Sequence, residues 1–158
     1  MEIAGEEVGG KLPIIHGVWA DGSLEAARIA RQAQAGGAAA LLVFPPGPFT
    51  MGQSAEMALA HFKTIADASD LPMILFQYPL ATGQGYPSAT LERLFDEVPT
   101  IRAIKDWTQT VPHHESQIRA LQGRARIWLS WCGTVWVQSL IARMVGTSSN
   151  RRSSVADG

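Results

Sequence analysis

Four histidines and one cysteine are the side chains of this 158-residue sequence that most readily bind metals or transfer protons. His113 and His114 adjoin Glu115, a combination that could supply metal ligands. Adjacent residues of a helix or strand point in different directions, however, and no second pair of ligands is spaced to complete a site. The sequence therefore predicts solvent-exposed histidines at the start of a helix and no metal centre.

The remaining residues of this group favour structural roles. His16 closes an apolar segment, and we expect a hydrogen-bonded structural histidine rather than an acid–base catalyst. His61 falls within a helical pattern and is predicted to lie on the surface. Cys132 has no CxxC partner, which predicts an ordinary thiol. A single cysteine also excludes an intrachain disulfide and a zinc site built from several cysteines.

The composition is that of one globular domain. Hydrophobic residues make up 46% and charged residues 17% of the chain, which excludes a disordered or collagen-like protein. The longest nearly uncharged stretch, residues 36–55, is interrupted by three prolines and is not a membrane span. The N-terminus is acidic, unlike an export signal, so a cytoplasmic protein is expected.

The net charge is −1, but acidic and basic residues are distributed unevenly along the chain. Residues 1–116 hold 13 acidic and 7 basic residues, whereas residues 117–158 hold six arginines against Asp157. Trp128, Trp131 and Trp136 also lie in this second part and could stack on bases, although core packing is favoured. Two adjacent arginines, Arg151 and Arg152, are too few for a nucleic-acid surface, so no nucleic-acid partner is expected.

Strand and helix patterns alternate along the chain. Apolar runs predict strands at residues 12–18, 39–44, 71–78, 100–105 and 125–129, and helical patterns cover 24–34, the segments beginning at 54 and at 87 or 88, and 111–121. This alternation is typical of parallel βαβ units. A doubly wound open sheet and an arc of a (β/α)₈ barrel both fit, and the pattern alone does not choose between them. No Gly-x-Gly-x-x-Gly or phosphate-loop motif follows any of these strands.

The third and fourth predicted strands carry a specific motif. The segment LPMILFQYP at 71–79, then Thr82 and Gly83, then IRAIKD at 101–106 resembles the dihydrodipicolinate synthase / N-acetylneuraminate lyase family. The resemblance covers roughly residues 10–125. It implies class I aldolase chemistry on an incomplete (β/α)₈ barrel, comprising about the third to seventh strands. We expect a lead-in at 1–10, a partial barrel at 11–130, and a divergent C-terminal segment at 131–158 that ends in a flexible tail.

The resemblance implies a role for Lys105. In this family a lysine at the end of the sixth barrel strand forms a Schiff base with pyruvate or another 2-oxo acid, and Lys105 matches that position. The reaction needs a neutral amine, which burial at the end of an apolar strand favours. No metal or organic cofactor is then required, because the iminium ion is itself the electron sink. A lysine that merely extends from a strand end into water is the alternative.

The residues around this lysine depart from the family pattern. Phe76 stands where the family has a proton-relaying tyrosine, and phenylalanine cannot relay a proton. Tyr78 lies two residues further on the same strand face, so it either supplies the hydroxyl from a shifted position or only packs there. By the resemblance, Lys105 and Tyr78 are the catalytic candidates. Phe76, Thr82 and Gly83 are the substrate-binding candidates.

Two further departures bear on the substrate. Ala81 replaces an arginine that holds a dicarboxylate in the synthase branch, and Gly47–Pro48 replace a tyrosine pair. The family's Gly-Thr-Thr-Gly-Glu-like loop is missing from the sequence. These differences favour a diverged lyase or aldolase that acts on pyruvate or a related 2-oxo acid. The resemblance to the family also implies a homo-oligomer.

The length leaves an alternative function open. A complete barrel of this type takes about 250 residues, and the family pattern is lost after residue 130. The alternative is a catalytically inactive barrel fragment, from a truncated gene, that associates with itself or with a partner.

Overall fold

A computed structural model describes Ile3, Glu6, Glu7, residues 12–121, residues 123–124 and the backbone of residues 126–129. Five strands alternate with four α-helices in it. The strands are β1 (Ile15–Val18), β2 (Ala40–Val43), β3 (Met73–Gln77), β4 (Ile101–Asp106) and β5 (Arg126–Leu129). The helices are α1 (Ser23–Ala35), α2 (Ala55–Ala66), α3 (Ser88–Glu97) and α4 (Val111–Leu121), and short 3₁₀ turns cover Gly47–Met51 and Leu80–Thr82.

Every predicted strand and helix is present, with small differences at the ends. The largest difference is in β1, which begins at Ile15 instead of residue 12. Leu12 and Pro13 are exposed, and proline has no N–H to contribute to a sheet. The residues that directly precede β1 and β2 are already hydrogen-bonded: the carbonyl of Ile14 accepts from the N–H of Ala39 at 2.8 Å. At α2, Ser54 caps the helix by accepting a hydrogen bond from the Met57 N–H at 3.2 Å.

The sheet decides between the two architectures that the pattern left open. All neighbouring strands are parallel, and their order in the sheet is β1-β2-β3-β4-β5, the same as in the sequence. A doubly wound sheet reverses its strand order at a switch point, and no such reversal occurs among these five strands. Successive helices also pack against one another in chain order, as α1 with α2 and α2 with α3. The arrangement is an arc of a (β/α)₈ barrel.

The two faces of the sheet have different surroundings. The main core lies between the sheet and the helices and includes Leu41, Leu75 and Ile104, each almost wholly buried. A smaller cluster on the other face consists of Ala40, Ile74 and Ala103, with Ile15 and Leu42 packed against it. We call this second face the inner face, because it corresponds to the inside of a barrel. Side chains of alternate residues therefore lie on the inner face as far as the carboxyl ends of the strands.

His61 does not lie on the surface as the helical pattern predicts. Its side chain is 2% exposed and lies between α1 and the core, with Nδ1 3.0 Å from the Ser23 hydroxyl oxygen. The rings of Phe49 and Phe62 make edge contacts with it. Burial lowers the pKa of His61 to about 4, so the ring is neutral at pH 7. The prediction was wrong because α2 is covered on this side by α1, which a single-helix pattern does not show.

No helix in the described part of the chain is long and apolar enough to cross a membrane.

Candidate active site

Lys105 lies on the inner face at the carboxyl end of β4. Its register partner in β3 is Phe76, and Ala103, two residues earlier, belongs to the inner cluster. The lysine side chain is half-buried, with Nζ 5.0 Å from the centroid of the Phe76 ring. None of the ion pairs found among the described residues involves Lys105. The amine is thus held against an apolar ring and is not neutralised by any described carboxylate.

Tyr78 lies beside Phe76, as the period of two along the strand predicts. The two ring centroids are 4.8 Å apart, and the tyrosine side chain is half-buried. Its ring also contacts Trp107 at 5.5 Å. Phe76 and Tyr78 therefore occupy the same end of the inner face as Lys105, while Phe76 lies directly next to the lysine.

Aromatic side chains cover this end of the inner face from four consecutive strand ends. We call the set the aromatic wall, and it consists of Trp19, Phe44, Phe76, Tyr78 and Trp107. Centroid distances are 5.9 Å for Trp19–Phe44, 4.6 Å for Phe44–Phe76 and 6.0 Å for Phe76–Trp107. The rings of Phe44 and Phe76 are nearly parallel, at 23°. Offset stacking of this kind is favourable beyond the area that it buries.

Three members of the aromatic wall were not predicted as site residues from the sequence. Trp19 follows β1 directly, Phe44 follows β2 directly, and Trp107 follows β4 two residues after the lysine. An aromatic residue at the end of each successive strand was the available signal. It becomes meaningful only once the strands are known to be parallel and adjacent, because their carboxyl ends then meet at one edge.

Thr82 and Gly83 belong to the loop that leaves β3. The Thr82 hydroxyl donates to the Pro79 carbonyl at 2.7 Å, and Gly83 ends the 3₁₀ turn with a φ of 75°. A Cβ at Gly83 would lie 3.1 Å from the Thr50 carbonyl oxygen. Both the backbone angle and the close approach favour glycine at this position. The geometry of these two residues is thus set by the turn itself.

Two glutamine side chains fix the same loop. Gln53 Nε2 donates to the carbonyls of Gly83 and Gly85, each at 2.8 Å. Gln77, at the end of β3 on the helix side, donates to the Tyr86 carbonyl at 2.9 Å and accepts from the Tyr86 N–H at 3.0 Å. Gln77 and Tyr86 are both fully buried. The loop is consequently a rigid part of the rim next to the aromatic wall.

The residue after the lysine anchors the next loop from the opposite face. Asp106 is fully buried; its Oδ1 accepts from the Thr108 N–H at 2.8 Å, and its Oδ2 lies 2.8 Å from His114 Nδ1. His113 and His114 are both half-buried, so the prediction of solvent-exposed histidines was wrong. The strand end and the start of α4 converge on Asp106, and this buries one face of the helix. Because Asp106 adjoins Lys105, these bonds also fix the backbone that carries the lysine.

The other candidates from the sequence are not part of this arrangement. His16 lies within β1, is half-buried, and makes no side-chain hydrogen bond to another described residue, so its predicted hydrogen bond stays a prediction. No three histidine, cysteine or carboxylate side chains come together as a possible metal site in the part of the chain that the structure describes. Cys132, Trp131, Trp136 and the Arg151–Arg152 pair lie outside the described residues.

Comparison with known proteins shows which family this chain is related to. The sequence model of the dihydrodipicolinate synthetase family matches residues 1–149. The chain belongs to this family. A curated relative, the 4-hydroxy-tetrahydrodipicolinate synthase of Sphingopyxis alaskensis, is 35% identical over 78% of this chain and 44% of its own length. The resemblance that the strand motifs indicate is thereby confirmed.

Solved structures of the family share the fold. YagE of Escherichia coli K12, a family member crystallised in complex with pyruvate, matches with a TM-score of 0.72 at 26% identity, over 80% of this chain and 43% of that one. The 4-hydroxy-tetrahydrodipicolinate synthase of Methylacidiphilum fumariolicum SolV matches with a TM-score of 0.71 at 25% identity, over 80% and 41%. The chain spans less than half the length of these relatives. Its parallel (β/α) sheet is an incomplete part of the family's barrel, as predicted.

Proposed function

We propose that this chain carries the Schiff-base part of a class I aldolase or lyase active site, with Lys105 as the nucleophile and pyruvate or a related 2-oxo acid as the substrate. The observation that carries the proposal is the position of Lys105. Its amine lies at the carboxyl end of a parallel strand, half-buried on the inner face of a sheet whose fold is that of the family. Active sites of (β/α)₈ barrels form at this end of the strands.

The surroundings of the amine support this chemistry. In the reaction, the neutral amine of Lys105 adds to the keto carbon, water leaves, and the iminium ion then accepts the electron pair of the carbon–carbon bond that breaks. The Phe76 ring lies beside the amine, with Nζ 5.0 Å from its centroid. None of the described carboxylates forms an ion pair with Lys105, so the amine is not tied up in a salt bridge within the described part of the chain.

Tyr78 is the proton relay in this proposal. Its hydroxyl is carried by a ring that packs on both Phe76 and Trp107, at the end of the site where the lysine lies. Phe76 has no hydroxyl and serves instead as an apolar neighbour of the imine. Thr82 and Gly83 contribute the fixed loop beside it, which closes one side of the substrate position.

Trapping with borohydride tests the proposal. The chain is incubated with pyruvate and sodium borohydride, digested, and examined by mass spectrometry for a reduced pyruvyl adduct on each lysine. We expect an adduct on Lys105 far above that on Lys63, an exposed lysine of α2 that is ion-paired with Glu97 and serves as internal control. Tyr78→Phe is expected to slow adduct formation and leave the position of the adduct unchanged. Equal labelling of the two lysines contradicts the proposed function.

A further inference from the structure

The aromatic wall gives the proposed site a chemical character of its own. Phe76 is nearly buried, at 7% exposure, whereas Trp19 and Trp107 remain 69% and 38% exposed. The stack of Phe44 on Phe76 thus lies between two exposed tryptophans, with Trp19 stacked on Phe44 and Trp107 edge-on to Phe76. A flat ring placed on this surface would continue the existing stack.

The described side chains near the wall provide no arginine that could pair with a second anionic group on the substrate. Among the residues whose side chains the structure describes, the arginines lie on helices, at the start of β4 or in the turn before β5, and several are ion-paired there; examples are Arg28 with Glu25, Arg93 with Glu56 and Arg124 with Asp96. None of them follows a strand end beside Lys105. An additional carboxylate on the substrate would therefore be desolvated against aromatic rings without a cationic partner.

Lys105 lies close enough to the aromatic wall for a substrate bound to the lysine to contact the rings. Nζ of Lys105 lies 5.0 Å from the Phe76 centroid. The substituent of a 2-oxo acid that is bound covalently to this nitrogen consequently begins at the wall. An uncharged aryl substituent can contact the rings there, whereas a methyl group covers little of them.

We propose that the site prefers a 2-oxo acid that carries an uncharged aromatic substituent, and that the aromatic wall binds this substituent. The inference rests on the proposed Schiff-base function of Lys105. The bond that forms joins Nζ to the keto carbon, the keto oxygen leaves as water, and borohydride added as reductant transfers hydride to the imine carbon. The trapped product is a secondary amine whose mass identifies the 2-oxo acid.

A competition experiment tests the preference. The chain is treated with borohydride in equimolar pyruvate and phenylpyruvate, and in equimolar pyruvate and 2-oxoglutarate, and the adducts on Lys105 are quantified relative to those on Lys63. Normalisation to Lys63 removes the intrinsic difference in carbonyl reactivity. One additional aromatic contact is expected to favour phenylpyruvate over pyruvate by about tenfold. The 2-oxoglutarate adduct is expected to be no more abundant than the pyruvate adduct.

A pair of matched substitutions locates the preference. Phe44→Leu removes a stacked ring from the wall and is expected to reduce the phenylpyruvate-to-pyruvate ratio several-fold. Phe95→Leu makes the same change at a half-buried position of α3, among the helix-side packing, and is expected to leave the ratio unchanged. Circular dichroism of both variants verifies that the fold is retained. If Phe44→Leu does not fold, Trp107→Leu, at a more exposed ring, provides the same test.

The outcomes separate this inference from the proposed function. Labelling of Lys105 by pyruvate without a preference for phenylpyruvate overturns the aromatic preference and leaves the Schiff-base function intact. The absence of selective labelling of Lys105 by any of the acids contradicts both. A preference that disappears as the chain concentration is raised shows that a second copy covers the wall, and this also overturns the inference.

Discussion

His61 makes the stability of this chain depend on pH in a way that can be calculated. The ring is 2% exposed and its pKa is about 4, whereas an unfolded histidine keeps the ordinary value of 6.5. The folded state therefore binds this proton less readily than the unfolded state does. Stability contributed by the neutral ring is fully present above pH 6.5 and is lost as the pH falls towards 4, where both states become protonated.

The magnitude follows from the two pKa values. The complete loss corresponds to about 3 kcal/mol, at roughly 1.4 kcal/mol for each pH unit between them. Between pH 7 and pH 5 the expected decrease in the free energy of unfolding is about 2 kcal/mol. This is a large fraction of the stability of a small domain, for which 5–15 kcal/mol is typical.

Urea unfolding followed by tryptophan fluorescence measures this decrease. His61→Asn replaces the titrating ring by an amide whose oxygen can still meet the Ser23 hydroxyl, 3.0 Å from Nδ1 in the folded chain. The difference in unfolding free energy between pH 7 and pH 5 is expected to be smaller in His61→Asn by about 2 kcal/mol than in the unchanged chain. His16→Asn, the same substitution at a half-buried position, keeps the His61 contribution and is the control.

The same pH dependence in the unchanged chain and in His61→Asn would refute this reasoning. The absolute stability of the variant at pH 7 does not affect the test, because the unfolding free energies at two pH values are compared within each protein. If the variant does not fold, titration of the His61 ring proton by NMR in the unchanged chain gives the pKa directly. A value near 6.5 would show that the ring is solvated and that α1 does not cover it.

Three further predictions concern the rim of the site. Gly85→Ala should destabilise the chain by more than about 2 kcal/mol, because a Cβ there would lie 2.4 Å from a backbone oxygen. Gly17→Ala is the control: its Cβ meets only ordinary contacts, so the urea midpoint should change little. Gln77→Leu should cost about 2–4 kcal/mol, since it leaves the buried N–H and carbonyl of Tyr86 without partners, and a midpoint close to the original would contradict this. Asp106→Asn should loosen the loop after Lys105 and lower the rate of borohydride trapping without changing which lysine is labelled; an unchanged rate would show that the anchor does not position the amine.

The elements of this fold could be predicted from the sequence because they depend on local patterns. Apolar runs such as residues 40–43 are largely buried in the sheet, and the cap at Ser54 is a short-range hydrogen bond. Both signals act within a few residues. The family motif around Lys105 is equally local, since it lies within single strands and the loops that follow them.

The sequence by itself thus determined the order of strands and helices, the family, and the position of Lys105 at a strand end. Only the tertiary structure decided that Phe44 and Trp107 share a surface with Phe76, that Asp106 holds His114, and that His61 is buried beneath α1. Each of these contacts joins residues from different elements or depends on how the elements pack. Their proximity arises from the parallel register of the strands and from the packing of helices on one face, and neither is encoded in the period of any single segment.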